Sequence, residues 1–188
     1  MSNEKKTLPL LTLRDLIIFP GTIAPVFIGR EKSLNALLAA KKMDDGQHIL
    51  LTTQKKHDIE EPTTSDLFKI GVLAKIIQTV KLPNNNAKIL VEVINRVKLV
   101  DIEDKEIFVA DYLIIPDAEV NNLEALNHAT DQVMEEFQEY AKNNKKINLE
   151  VLNILNQQKN PTYITNLIAS HLDIKLDLKQ SLLEQVDI

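Results

Sequence analysis

The sequence predicts an α+β fold in two lobes, β-rich over residues 1–116 and α-helical over residues 117–188. Three observations predict it. β-Branched residues in short alternating runs dominate up to Pro116-Asp117 and thin out beyond it. Ile89, Val91, Val93, Val97 and Leu99 alternate with Lys88, Glu92, Arg96 and Lys98, the period of a strand with one buried face. Later, Leu123, Leu126, Thr130, Val133, Phe137 and Tyr140 recur at spacings of three and four, the period of an amphipathic helix.

The elements follow in order. Leu8 to Leu13 reads as a short apolar strand, and Phe19-Pro20-Gly21 breaks the chain after it. Thr22 to Ile28 is a second strand, with Pro25 marking an edge or a bulge. Leu34, Leu37 and Leu38 place a helix over 31–43, stopped by Asp44-Asp45-Gly46. His48 to Thr53 is a strand, followed by a polar surface loop through Ser65. Val72, Ala74, Ile76, Val80 and Leu82 then match the face of the 89–99 strand, with Pro83-Asn84-Asn85-Asn86 as the hairpin turn. Asn tolerates the positive φ that such a turn demands. Ile107 to Ile115 completes about six strands, a number that suits a small, partly closed barrel better than an open sheet.

In the second lobe, Asn143-Asn144 ends the long helix and Asn148 caps the next. Asn160-Pro161 opens a third, as a cap followed by proline at the first helical position. Asp177-Leu178-Lys179-Gln180 resembles a capping box for a fourth, which carries no stop signal before the chain end and looks truncated there. The expected architecture is a helical bundle.

Composition narrows the function. At 44% hydrophobic and 26% charged, the 188 residues are those of an ordinary globular protein rather than a disordered one. No apolar run approaches the ~18 residues that cross a bilayer. Met1 to Lys6 has neither the apolar centre of a secretion signal nor an Arg-rich amphipathic helix, so a cytoplasmic protein is expected. The absence of cysteine excludes disulfides, thiolate metal sites and a cysteine nucleophile. A net charge of -5 and no tryptophan argue against nucleic-acid binding.

Candidate chemistry is sparse. None of Gly21, Gly29, Gly46 and Gly71 is followed by lysine, so no phosphate-binding loop is present and no ATPase is expected here. Ser170 and His171 are adjacent on a helix and are not expected to pair, because neighbouring residues point about 100° apart. His171 reads instead as a helix-end or surface residue. His48, His57 and His128 lack a partner at metal-ligand spacing. The acidic Asp58, Glu60 and Glu61, and the basic pairs Lys41-Lys42, Lys55-Lys56 and Lys145-Lys146, read as solvated surface. Gly29-Arg30-Glu31-Lys32-Ser33 has two readings: a helix start with Glu31 at the positive dipole end, or a contact surface. Arg30, Glu31 and Lys32, with Phe19 and Phe27 from the preceding apolar stretch, are the candidate contacts. No catalytic, cofactor or metal residue is expected.

The run Leu8-Pro9-Leu10-Leu11-Thr12-Leu13-Arg14-Asp15-Leu16-Ile17-Ile18-Phe19-Pro20-Gly21, continuing through Pro25-Val26-Phe27-Ile28-Gly29-Arg30-Glu31-Lys32-Ser33, resembles the opening of Lon proteases. Leu67-Phe68-Lys69-Ile70-Gly71-Val72-Leu73-Ala74, Ile89-Leu90-Val91-Glu92 and Leu167-Ile168-Ala169-Ser170-His171-Leu172 extend the resemblance across nearly the whole chain. Two departures stand out. Pro83-Asn84-Asn85-Asn86 replaces the family's Pro-Asp-Gly-type turn, and Val93 stands where a bulge-forming glycine is usual. The resemblance implies a PUA-like β-barrel lobe and a helical lobe that belong to a bacterial, hexameric ATP-dependent serine protease. It implies binding of unfolded or degron-bearing polypeptides, weak self-association, and ATP and magnesium held in a motor beyond this segment. Two other readings stand beside it: a stand-alone adaptor of the same fold, and an RNA-binding barrel, which retention on heparin would reveal.

Overall fold

The computed structural model describes residues 6–43, 47–119 and 121–186. The β lobe holds β1 (Lys6–Leu13), β2 (Ile23–Ile28), α1 (Glu31–Lys42), β3 (His48–Thr53), β4 (Ile70–Lys81), β5 (Ala87–Asp104) and β6 (Phe108–Ile115). The helical lobe holds α2 (Leu123–Asn143), α3 (Leu149–Gln157), α4 (Pro161–His171) and α5 (Leu176–Glu184).

The six strands form one sheet in the order β2-β5-β4-β3-β1-β6, and β6 also pairs with β5. β5 makes that return possible. Its first half pairs with β4 and β2, and its second half, from Arg96 to Asp104, pairs with β6. The outcome is the partly closed sheet expected, with β2 left as an edge. Pro25 is tolerated in β2 for that reason: an edge strand has one row of amides with no ladder to join. Only β1 and β3 run parallel, and α1 packs against β1 with Ala36, Leu37 and Ala40 buried.

Strand alternation creates two cores. Leu11, Leu13, Ile49 and Leu51 point to one, with Val26, Ile89 and Val91. Leu8, Leu10 and Leu50 point to the other, with Val97, Leu99, Phe108 and Tyr112. Each such side chain contributes about 1.5–3 kcal/mol on burial. The helical lobe has a smaller core of its own around Phe137, Leu155, Ile164, Leu167 and Ile168. It docks on the β lobe through Ala169 and Leu183, which enter the first β-lobe core.

Local chemistry sets the boundaries. At the β4–β5 turn, Asn84 and Asn85 have φ of 58° and 59°, and the Asn86 amide donates to the Pro83 carbonyl at 3.3 Å. Two left-handed central residues give the turn the hand that matches strand twist. The Asn148 and Asn160 side chains cap α3 and α4 as expected, accepting from the Glu150 and Tyr163 amides. Residues 55–63 form a loop that leads into a 3-10 turn at Thr64–Asp66. The Asp44-Asp45-Gly46 stop lies outside the described residues.

Five expectations are corrected. Val80 is 44% exposed rather than on the buried face. The register slips between Ile76 and Gln78, so Thr79 takes the place opposite Ile89 and Val80 turns outward opposite Lys88. Arg96, at a polar position of the alternation, is only 5% exposed because the helical lobe covers that part of β5. A second slip skips Ile94, one residue past Val93, so this bulge forms without the glycine. Asp177 does not cap α5. The helix starts at Leu176, and Gln180 instead donates to the Ile70 carbonyl at 3.0 Å, tying α5 to β4. Finally, α5 stops at Glu184, where Gln185 turns extended, instead of running on toward the chain end.

Candidate functional site

β2 alternates between two fates. Val26 and Ile28 are core, whereas Ile23 and Phe27 are 61% and 70% exposed, with Pro25 between them on the same outward side. In register across β5, Ile23 faces Glu92, Pro25 faces Leu90 and Phe27 faces Lys88. One strand further, Val80 lies opposite Lys88, and Ile77 is 49% exposed. The face of β2, β5 and β4 is therefore an exposed apolar strip with Lys88 and Glu92 set into it. The Lys88 Nζ sits 5.1 Å from the centre of the Phe27 ring, a cation–π contact that leaves most of the ring open.

This face runs into two clefts. One, of about 450 Å³, follows β2 and is lined by Leu16, Pro25, Phe27 and Arg30. The other, also about 450 Å³, has Leu16, Ile23 and Pro25 on one wall and Val151, Ile154 and Tyr163 of the helical lobe on the other. Leu16 and Pro25 belong to both, so the apolar path is continuous from Phe27 into the groove between the lobes. Gly21 shapes the floor of that groove. Its φ of +81° suits glycine, and a Cβ there would lie 2.9 Å from the Tyr163 ring.

The five sequence candidates separate. Phe27 is on the exposed face. Phe19 is 1% exposed in the core, so it is removed as a surface contact: the strand break after it turns its ring inward beneath the helical lobe. Arg30 is committed to the fold, donating to Gln54 Oε1 at 2.7 Å and to the Ile59 carbonyl at 3.2 Å. Burial, and then the Arg14 charge, lower its pKa, while Glu61 acts the other way. Lys32 pairs with Asp104 and lies 3.9 Å over the Phe108 ring. Glu31, in the first turn of α1, lines with Lys32 a polar cleft of about 720 Å³ that also holds Lys105 and Glu106. Arg30 lines both this cleft and the β2 cleft, and so joins the two surfaces.

Sequence reasoning missed Ile23, Val80 and Ile77. Ile23 and Phe27, four residues apart in a strand, share a face, which is a usable signal; the bulge that exposes Val80 leaves none. Ser170 and His171 also need correction. Their Oγ and Nδ1 lie 2.9 Å apart, since both side chains fold back to the Leu167 carbonyl at the helix end. That shared carbonyl accounts for the contact as helix-end hydrogen bonding. Among the described residues no cluster of three or more potential ligands could hold a metal ion, and no helix is long and apolar enough to cross a membrane.

Fold and surface together define a two-lobed α+β binding domain. Its sequence places it more narrowly: the chain belongs to the ATP-dependent protease La (LON) substrate-binding domain family, whose model matches residues 7–188. It is 47% identical over 188 residues to a Lon protease of Rickettsia typhi, covering 97% of this chain and 24% of that protein. Against the Lon protease of Haemophilus influenzae it is 38% identical over 186 residues, covering 99% and 23%. The chain thus spans about a quarter of the length of these relatives. The fold is that of the N-terminal domain of Mycobacterium avium complex Lon protease, at TM-score 0.75 and 19% identity, covering 97% of this chain and 91% of that one. A Lon N-terminal domain protein from Xanthomonas campestris matches at TM-score 0.64 and 12% identity, covering 97% and 92%.

Proposed function

We propose that this domain captures unfolded or degron-bearing polypeptide on the outward face of β2, β5 and β4, and hands it to a motor and peptidase in the same cytoplasmic enzyme. The exposure of Ile23 and Phe27 on one face of an edge strand, with Pro25 between them, carries the reading. Apolar side chains left open on a rigid sheet, with charged neighbours at their rim, attract the apolar segments that a native substrate hides. Weak single contacts suffice if several copies stand on one ring, since a second contact is then made at high local concentration. ATP and magnesium belong, in this reading, to the motor. Glu31 and Lys32 contribute as a charged flank beyond Arg30.

The test is an amide-resolved NMR titration with a permanently unfolded protein and with the native form of the same protein. Shifts confined to 23–28 and 88–92 with the unfolded ligand, and lost in the double variant Ile23→Ser/Phe27→Ser, are expected. These positions are solvated, so stability should move by no more than about 0.5 kcal/mol. Equal binding of both ligands, or unchanged binding by the double variant, would refute the proposal. Charge reversal at Glu31 and Lys32 that leaves affinity unchanged would remove the charged flank alone.

A further inference from the structure

A cavity of about 260 Å³ lies between the lobes, away from the outward sheet face. Its walls are largely apolar, with Phe19, Leu126, Val133 and Ala169 among them. Polar side chains from both lobes break that pattern, among them Arg96 and Asn166. Arg96 on β5 is 5% exposed; its Nη1 is 3.5 Å from Asp117 Oδ1, and its Nε has no hydrogen-bond partner. Asn166 on α4 is 6% exposed and lines the same space. Two of the three threonines are already committed: Thr130 Oγ1 donates to the Leu126 carbonyl and Thr165 Oγ1 to that of Pro161.

Arg96 is a buried guanidinium with one long contact and an orphaned Nε, and Asn166 adds a second polar group to the same lining. Asp117 is itself half exposed and stands at the limit of hydrogen-bond reach, so it neutralises the charge without filling the donors. Burial lowers the Arg96 pKa, and Asp117 acts in the opposite direction. An oxyanion would complete the guanidinium, and an apolar chain would fill the remaining walls. At about 30 Å³ per water-sized group, the space holds about eight or nine heavy atoms.

We propose that this cavity binds a small carboxylate with an apolar tail, the carboxylate held by Arg96 and Asn166 and the tail packed against Phe19, Leu126 and Val133. Two sources share that chemistry: a free short-chain carboxylic acid, and the C-terminal residue of a polypeptide ending in an apolar side chain.

The experiment is an NMR titration of the whole chain with hexanoate, hexanamide, acetyl-glycyl-leucine and the amide of that dipeptide. Hexanoate should shift the amides of Arg96, Thr130 and Asn166, and bind about tenfold more tightly than hexanamide, which lacks the charge. Acetyl-glycyl-leucine moving the same amides, with its own amide inactive, identifies a polypeptide end as the natural source; hexanoate alone doing so identifies a free acid. Two variants guard against a folding artefact. Ala129→Trp, placed at the exposed mouth of the cavity, should abolish the shifts while the spectrum stays that of a folded chain. Asn166→Leu replaces the amide with an apolar side chain of similar size, so it should weaken hexanoate while the chain stays folded. Equal affinity for hexanoate and hexanamide, binding that survives Ala129→Trp, or no localised shift at millimolar hexanoate would each overturn the assignment.

Discussion

The two lobes are held together by different kinds of contact. In the β lobe, neighbours in space are far apart in sequence: β1 lies between β3 and β6, and two cores share its two faces. In the helical lobe, α2 is 21 residues long yet buries only Leu126, Thr130 and Phe137, and α3 buries only Leu155. α4 and α5 behave differently, because Ala169, Leu183 and the Gln180–Ile70 hydrogen bond join them to the β lobe. The boundary in sequence, near Pro116, is therefore not the boundary of cooperative stability. α4 faces both ways, giving Ala169 to the first β-lobe core and Ile164, Leu167 and Ile168 to the helical core, so α2 and α3, which bury least, are expected to open at lower cost.

The sharpest way to break that division is Gly71→Ala. A Cβ at Gly71 would lie 2.4 Å from the Leu51 carbonyl oxygen on β3, a backbone atom that cannot step aside without parting β3 from β4. A loss of about 4 kcal/mol is expected, as for other severe core strain, with both lobes unfolding together in urea. A midpoint close to that of the parent chain would show that the strands slide freely there. Next in size is Phe137→Ala, which should cost about 3 kcal/mol by cavity formation. Hydrogen exchange is the readout: protection should fall in α2 and α3 while β4 and β5 keep theirs. A uniform loss across both lobes would mean that the domain is a single cooperative unit after all.

The smallest effect concerns the exposed Lys146–Asp173 pair, 2.7 Å apart, which links the α2–α3 connection to the segment after α4. The hydrogen bond from Lys146, and then its charge, lower the Asp173 pKa; the pair raises that of Lys146. A depressed carboxylate stabilises the fold above its unfolded pKa of about 3.9, and that contribution is lost as pH falls through the lower folded value. The raised lysine stabilises the fold below its unfolded value near 10.4, and that contribution is lost as pH rises through the higher folded one. Because both groups are solvated, the change in thermal midpoint should be slight. Lys146→Ala should move the Asp173 titration, followed by carboxyl NMR, up toward the ordinary range. An unmoved titration would mean that the contact is not populated in solution.

Much of this architecture was readable one element at a time. Alternation along Ile89 to Leu99 gave the long strand, Asn84-Asn85 gave the turn, and Asn148 and Asn160 gave two helix starts. What escaped was set by contacts distant in sequence. Arg96 follows the polar register of its strand, and only the arrival of α2 and α4 over it makes it buried. Gln180 fits a capping pattern locally, but a carbonyl 110 residues away claims its amide. Apolarity alone makes Phe19 a candidate contact, and apolarity does not distinguish a core ring from an exposed one. Phe27 carries the same signal, and its exposure depends on β2 being an edge, a property of the whole sheet.

β5 has a mechanical meaning as well. It carries Lys88 and Leu90 of the apolar face at one end, Arg96 under the helices in the middle, and its pairing with β6 at the other. Hydrogen bonds in antiparallel ladders stand perpendicular to the strand. Tension along β5 therefore loads many of them at once, in shear, instead of peeling them one after another. A polypeptide held beside β2 would load the 18-residue β5, which is laddered to β2, β4 and β6, so the pull would be shared across the sheet.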